Sequence, residues 1–212
     1  MRSAHTLAGI ASAGLVAASL MLVAPANAAP VNGTGGDDHL RGTPFSDTIR
    51  GFGGDDTVRG LPGRDLIFGG SGFDYVFWGR GDDTIHGGTQ GDRLYGGRGD
   101  DTIYGGAGRD EILYGRTGSD VIFGGAMADQ LYDGPGRDTF HGGLGNDTVD
   151  LKDDGTPDTV TCGPGHDVVY GATSDNTIAA DCEELHLGQP PGCRGLPQRG
   201  LVPLREVARC NP

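Results

Sequence analysis

From Gly33 to Ala179, apolar side chains return at a nearly constant spacing of nine: Leu40, Ile49, Val58, Ile67, Val76, Ile85, Leu94, Ile103, Ile112, Ile122, Leu131, Phe140, Val149, Val160, Val169 and Ile178. Two places before each stands a carboxylate: Asp38, Asp47, Asp56, Asp65, Asp74, Asp83, Asp92, Asp101, Asp110, Asp120, Asp129, Asp138, Asp147, Asp158 and Asp167. Only the last unit departs, with Asn176. Glycine-rich turns lie between, as in Gly96-Gly97-Arg98-Gly99-Asp100-Asp101. The pattern predicts very short strands, such as Thr102-Ile103-Tyr104, with the middle side chain inward and its neighbours outward.

Glycines at the first, second and fourth positions of the unit permit positive φ and close backbone approach, so carbonyl oxygens can converge on one point. Two units make one coil of about eighteen residues, with a strand on each side and a turn at each end. The expected fold is all-β, a β-roll of about eight coils stacked about 4.8 Å apart. One aliphatic residue in nine buries too little to offset the backbone entropy of so much glycine. The missing stabilisation has to come from metal between stacked turns, where oxygen ligands suit a hard cation such as Ca²⁺.

The Gly-Gly-x-Gly-x-Asp turns resemble the repeats-in-toxin, or haemolysin-type, calcium-binding β-roll family, over Gly33 to Ala179. The resemblance implies a right-handed parallel roll with each Ca²⁺ between two turns on the same edge, one coil apart. The ions would be held by the fifteen aspartates named above and by backbone carbonyls. The closing stretch, Cys162-Gly163-Pro164-Gly165-His166-Asp167 through Ala180-Asp181-Cys182-Glu183-Glu184-Leu185, is similar to the end of small secreted actinobacterial calcium-binding proteins.

Residues 1–28 stand apart. Arg2, an apolar run from Leu7 to Val23 and the small residues Ala26-Asn27-Ala28 read as a secretory signal cleaved after Ala28. Family toxins usually leave by a one-step exporter that reads a C-terminal signal, so an N-terminal signal is a departure. Residues 29–185 then form the roll with its closing segment, and 186–212 a basic tail. The mature protein is expected to be extracellular, with no membrane span. The net charge of −13 disfavours a nucleic-acid partner, whose phosphates would be repelled.

The turns are not equal. Phe45, Gln90, Met127 and Ser174 replace the fourth-position glycine, and the unit ending at Thr161 carries two extra residues. Same-edge neighbours are alternate units, so Phe45, Ser174 and the long unit fall near the ends of the even edge. Gln90 and Met127 fall in the middle of the odd edge. The even series Asp65, Asp83, Asp101, Asp120 and Asp138 is therefore expected to hold the best sites, with one extra residue placed before Asp120. Four cysteines in an exported chain point to two disulfides. Of three possible pairings, Cys162–Cys182 stapling the last coil and Cys193–Cys210 closing the tail as a cap are expected.

Little outside the repeats could carry an enzyme domain. Paired acids such as Asp100-Asp101 belong to the turn motif, and His86 and His141 are expected on the surface, about 14 Å apart, too far to share a metal. The outward ninth positions read Phe77, Tyr95, Leu113, Tyr132 on the odd side and Phe68, His86, Tyr104, Phe123 on the even side. Such rings either shield a thin sheet or stack on sugar rings of a wall polymer or on a partner protein. The expected function is a secreted, non-catalytic calcium-binding scaffold or adhesion module that folds on binding calcium. Wall-polysaccharide or partner binding through the aromatic rows is the alternative, and a lytic or hydrolytic role has no residues to support it.

Overall fold

The computed structural model describes residues 21–23, 30–152 and 154–187. Among them there are nineteen strands, from β1 (Met21–Val23) to β19 (Glu184–Leu187), and no helix. Odd-numbered strands form one ten-stranded sheet and even-numbered strands a nine-stranded sheet, each in chain order. Every pairing is parallel and joins a strand to the one two places on, as where β8 (Thr84–Thr89) and β10 (Thr102–Gly106) align Ile85 with Ile103. The chain thus winds as a parallel β-solenoid of about nine turns. That is one more than the spacing predicts, because Val31 pairs with Ile49 and Leu185 with Val169 beyond the regular units.

Nine of the nineteen strands run for six residues rather than three, continuing through the glycines that follow the apolar position. Their burial alternates, so in β8 Ile85 and Gly87 face inward while Thr84, His86 and Gly88 face outward. The core is one apolar side chain per strand, from Val31 to Val169, each at most 2% exposed. Ile178 and Leu185 pack against its end, half-buried. Leu151, Cys162 and Ala172 also enter the core in the last coils, where earlier coils place glycine.

One register differs from the expected one. Leu113, not Ile112, aligns with Leu94 and Leu131 and is fully buried, while Ile112 lies opposite Arg93 and is half-buried. The extra residue is therefore Glu111, in a bulge just after Asp110, rather than in the turn before Asp120. The Glu111 amide still reaches the Asp92 carbonyl at 3.0 Å, so the bulge is absorbed within one step. It also moves Tyr114 into the outward row in place of Leu113.

Candidate metal centres

Each turn folds its aspartate back toward the preceding coil. The Asp74 amide donates to Asp92 Oδ1, Asp83 to Asp101, Asp92 to Asp110 and Asp101 to Asp120, all at 2.8 Å. The ladder begins where Asp38 donates to Asp56 and ends where Asp167 donates to Glu183 Oε2. From Asp47 to Asp167 these aspartates are buried, and only Asp38, on the first turn, is half-buried.

One carboxylate oxygen is thereby used in stacking, and the other is left over. Oδ2 of Asp56, Asp65, Asp74, Asp92, Asp101, Asp110, Asp120, Asp129, Asp147 and Asp167 is buried without a hydrogen-bond partner. A methyl group at Gly105 would collide with Asp110 Oδ2 and with the Gly124 carbonyl of the next coil. The same pair of oxygens faces Gly51, Gly69, Gly87 and Gly124, so the first-position glycine opens a cradle lined by a carboxylate and a carbonyl. Burial raises Asp56, Asp65, Asp74, Asp110 and Asp147 to about 6, Asp83 and Asp120 to about 7, and Asp92, Asp101 and Asp129 to about 8. The ladder amide opposes this in each, and for most of them neighbouring carboxylates add to it. Buried anions of this kind must be neutralised, and an all-oxygen cradle fits a hard divalent cation such as Ca²⁺.

The regular cradles lie on the odd edge, at Asp56, Asp74, Asp92, Asp110, Asp129 and Asp147. This is not the edge that the fourth-position glycines single out. Gln90 and Met127 take the left-handed conformation that glycine would have taken, at φ 74° and 78°, and the ladder bonds of Asp92 and Asp129 remain intact. The cost there is backbone strain of about 1–2 kcal/mol per residue, not a displaced ligand. On the even edge the first position is interrupted by Trp78, Asp133 and Leu151.

The end turns differ. At Asp47 the Thr43 amide and hydroxyl reach Oδ2 at 2.5 and 3.0 Å, and at Asp38 those of Thr34 reach Oδ2 at 2.6 and 2.9 Å. At the other end Thr173 does the same for Asn176 Oδ1, at 2.8 and 2.7 Å. A threonine thus supplies from within the chain what a cation supplies elsewhere. The periodicity of the aspartates does not reveal this, although the hydroxyl residues in those turns could have signalled it.

Cys162 and Cys182 are disulfide-bonded, as expected; Cys193 and Cys210 lie outside the described residues. The even outward row stacks as one column: Phe68–His86 at 4.9 Å, His86–Tyr104 at 4.6 Å, Tyr104–Phe123 at 4.9 Å and Phe123–His141 at 4.7 Å, each within 12° of parallel. His86 and His141 are therefore half-buried members of a ring stack, and burial lowers the His86 pKa. The odd row runs Phe77, Tyr95, Tyr114 and Tyr132 at 6.2–6.5 Å.

A family model for the RTX calcium-binding nonapeptide repeat (4 copies) matches residues 32–67, 53–76, 59–90, 77–112, 114–149 and 154–181. The chain belongs to this family. A search of curated proteins finds no match. The RTX nonapeptide is a calcium-binding repeat, and the buried aspartate ladder fits several Ca²⁺ ions. Such repeats are typical of extracellular proteins, and no helix among the described residues is long and apolar enough to cross a membrane.

Proposed function

We propose that this RTX chain is secreted through its residues 1–28 and works outside the cell as a non-catalytic scaffold or adhesion module that folds on binding calcium. The observation that carries this is the row of buried Oδ2 atoms with no partner, each but that of Asp167 beside a glycine with no side chain. Asp56, Asp65, Asp74, Asp83, Asp92, Asp101, Asp110, Asp120, Asp129, Asp138, Asp147, Asp158 and Asp167 are the ligands in this reading, with turn carbonyls completing each cage. Asp38 and Asp47 close the array at its first turns. Without cations the stacked carboxylates repel, and one apolar side chain per strand is too little to hold them. Circular dichroism and hydrodynamic radius in a calcium titration of the full chain test this. A compact β-rich form should appear at about 10⁻⁴–10⁻³ M Ca²⁺, with Mg²⁺ a poor substitute. Unchanged spectra and size on adding EDTA would reject it. Amino-terminal sequencing of the exported protein should begin at Ala29, so that β1, which pairs with His39–Arg41, leaves with the signal.

A second reading rests on the even ring column. Five rings stack about one coil apart, so each inner face is covered by a neighbour and the column offers a ridge of ring edges along the rod, an apolar strip against which a wall polymer or a partner protein can pack. Pull-down on cell-wall polysaccharide should weaken on Tyr104→Ala with folding unchanged; equal retention assigns the rings to shielding the sheet.

A further inference from the structure

The turn from Asp133 to Asp138 breaks the repeat in a way that the calcium motif does not explain. Its first position, glycine in most units, is Asp133, which is fully buried. Strand pairing stops at its doorstep: β11 (Ile112–Thr117) and β13 (Gln130–Tyr132) align only as far as Tyr114 and Tyr132, whereas β11 and β9 (Arg93–Arg98) continue to Thr117. The side chain that takes the glycine's place brings a carboxylate into the space between two turns.

That carboxylate meets two others. One oxygen each from Asp133, Asp138 and Asp158 lie within 4.8 Å of one another, and all three residues are buried. Several oxygens of the group also accept hydrogen bonds. Asp133 Oδ2 accepts from the Lys152 amide at 2.8 Å, Asp158 Oδ1 from the Asp138 amide at 3.0 Å, and Asp158 Oδ2 from Asn176 Nδ2 at 2.8 Å. Asp133 Oδ1 has no partner and no access to water. No cationic side chain among the described residues pairs with the three acids, and the nearby Lys152 ammonium turns instead to the Tyr114 hydroxyl at 3.3 Å. Calcium–oxygen distances of about 2.3–2.6 Å put opposite ligands on one ion about 4.6–5.2 Å apart, so these oxygens can all touch a single Ca²⁺. The lengthened turn before Asp158 is also pinned to this place, since the Gly136 amide donates to Asp154 Oδ2 at 2.8 Å and the Thr156 amide to Asp154 Oδ1 at 2.8 Å.

We propose that Asp133, Asp138 and Asp158 form a three-carboxylate calcium site, a repeat cage enlarged by Asp133, that binds its ion more tightly than the other cages and keeps it when they have emptied. Two of its members are repeat aspartates, so the inference rests on the calcium-binding reading of the roll. The third is a feature of this chain. Affinity in oxygen-ligand sites rises with ligand charge, and here one carboxylate is added where the other turns offer none. A fixed ion at this position also ties two successive even turns at the end where the unit length changes, so the last coils stay assembled at calcium levels that release the rest.

The test is equilibrium dialysis of the chelator-stripped full chain against buffered ⁴⁵Ca²⁺, for wild type, Asp133→Gly and Asp133→Asn. Asp133→Gly restores the residue that Gly96 and Gly115 supply on the same edge; Asp133→Asn keeps an acceptor for the Lys152 amide. At free calcium on the order of 10⁻⁵ M, wild type should hold one ion that both variants release, with a loss of affinity of about tenfold or more. All three should take up the remaining ions together at higher calcium and give the same circular dichroism there. Equal occupancy of wild type and variants at low calcium overturns the proposal, as does a wild type that fills all its sites in one step. Absence of binding by wild type at any level rejects the calcium reading of the repeats instead, so the two failures are distinguishable.

Discussion

The Asp83 amide donates to Asp101 Oδ1 at 2.8 Å, while Oδ2 of the same carboxylate is buried against Gly96 with no partner. One side chain therefore does two jobs. Its first oxygen replaces a sheet bond where the chain turns, and its second remains available to a cation. Stacking a coil and creating a binding site are the same event, so folding and calcium binding are coupled at every step.

The raised carboxylates make the calcium-free chain pH-dependent. Folded values near 6 to 8, for Asp65, Asp74, Asp83, Asp92, Asp101 and Asp129, lie above the ordinary 3.8. Where the folded pKa is the higher, protons favour the folded form. That contribution is complete below about pH 4 and is lost as pH rises through 6 to 8. Calcium-stripped protein should thus gain β structure on acidification to about pH 4, and calcium binding near pH 7 should release protons. A stripped chain richer in β structure at pH 8 than at pH 4 contradicts this account.

Cradle geometry separates two glycines that look alike in sequence. A methyl group at Gly105 would occupy the space between Asp110 Oδ2 and the Gly124 carbonyl, whereas one at Gly35 would meet nothing within 4 Å. Gly105→Ala should raise the calcium midpoint and weaken cooperativity, because one blocked turn affects both neighbours in a stacked array. Gly35→Ala should titrate like wild type. Equal midpoints for the two variants would mean that the first-position glycine is not part of the cage.

Much of this architecture is legible in the chain because a solenoid repeats one local solution, and the nine-residue spacing of Asp and apolar residues reports it directly. What escapes is whatever breaks the period. Ile112 and Leu113 are adjacent aliphatics, so spacing alone cannot say which one the bulge at Glu111 sends inward. Val31 and Leu185 join the core without a standard turn on their outer side. Asp133 stands at the first position, where a search for sixth-position ligands does not look, and the fourth-position glycines misplace the regular edge because Gln90 and Met127 adopt the conformation of the residue they replace.

The bulge has a direct check. Leu113 is fully buried between Leu94 and Leu131, so Leu113→Ala should cost about 2–5 kcal/mol. Ile112 is half-buried on the outward face, and Ile112→Ala should cost about 1 kcal/mol or less. Urea unfolding in saturating calcium measures both. A larger loss at Ile112 would restore the register read from spacing alone.

The disulfide should act on the end of the array rather than on the whole rod. Cys162 stands at the first position of the turn that leads to Asp167, and its carbonyl accepts the Gly143 amide at 2.8 Å. The same carbonyl lies beside Gly142, against Asp147 Oδ2, so Cys162 replaces a glycine in the last regular cradle of the odd edge. Its bond to Cys182 closes a loop of sequence separation 20, which stabilises by about 3 kcal/mol through the unfolded state. In a stack where each coil leans on its neighbour, that contribution is felt at the C-terminal coils first. Cys162→Ser with Cys182→Ser should therefore raise the calcium midpoint and expose the last coils to proteolysis and amide exchange. The turns around Asp74 and Asp92 should stay protected at saturating calcium. Uniform loss of protection along the rod would instead show that the bond holds the solenoid as a single cooperative unit.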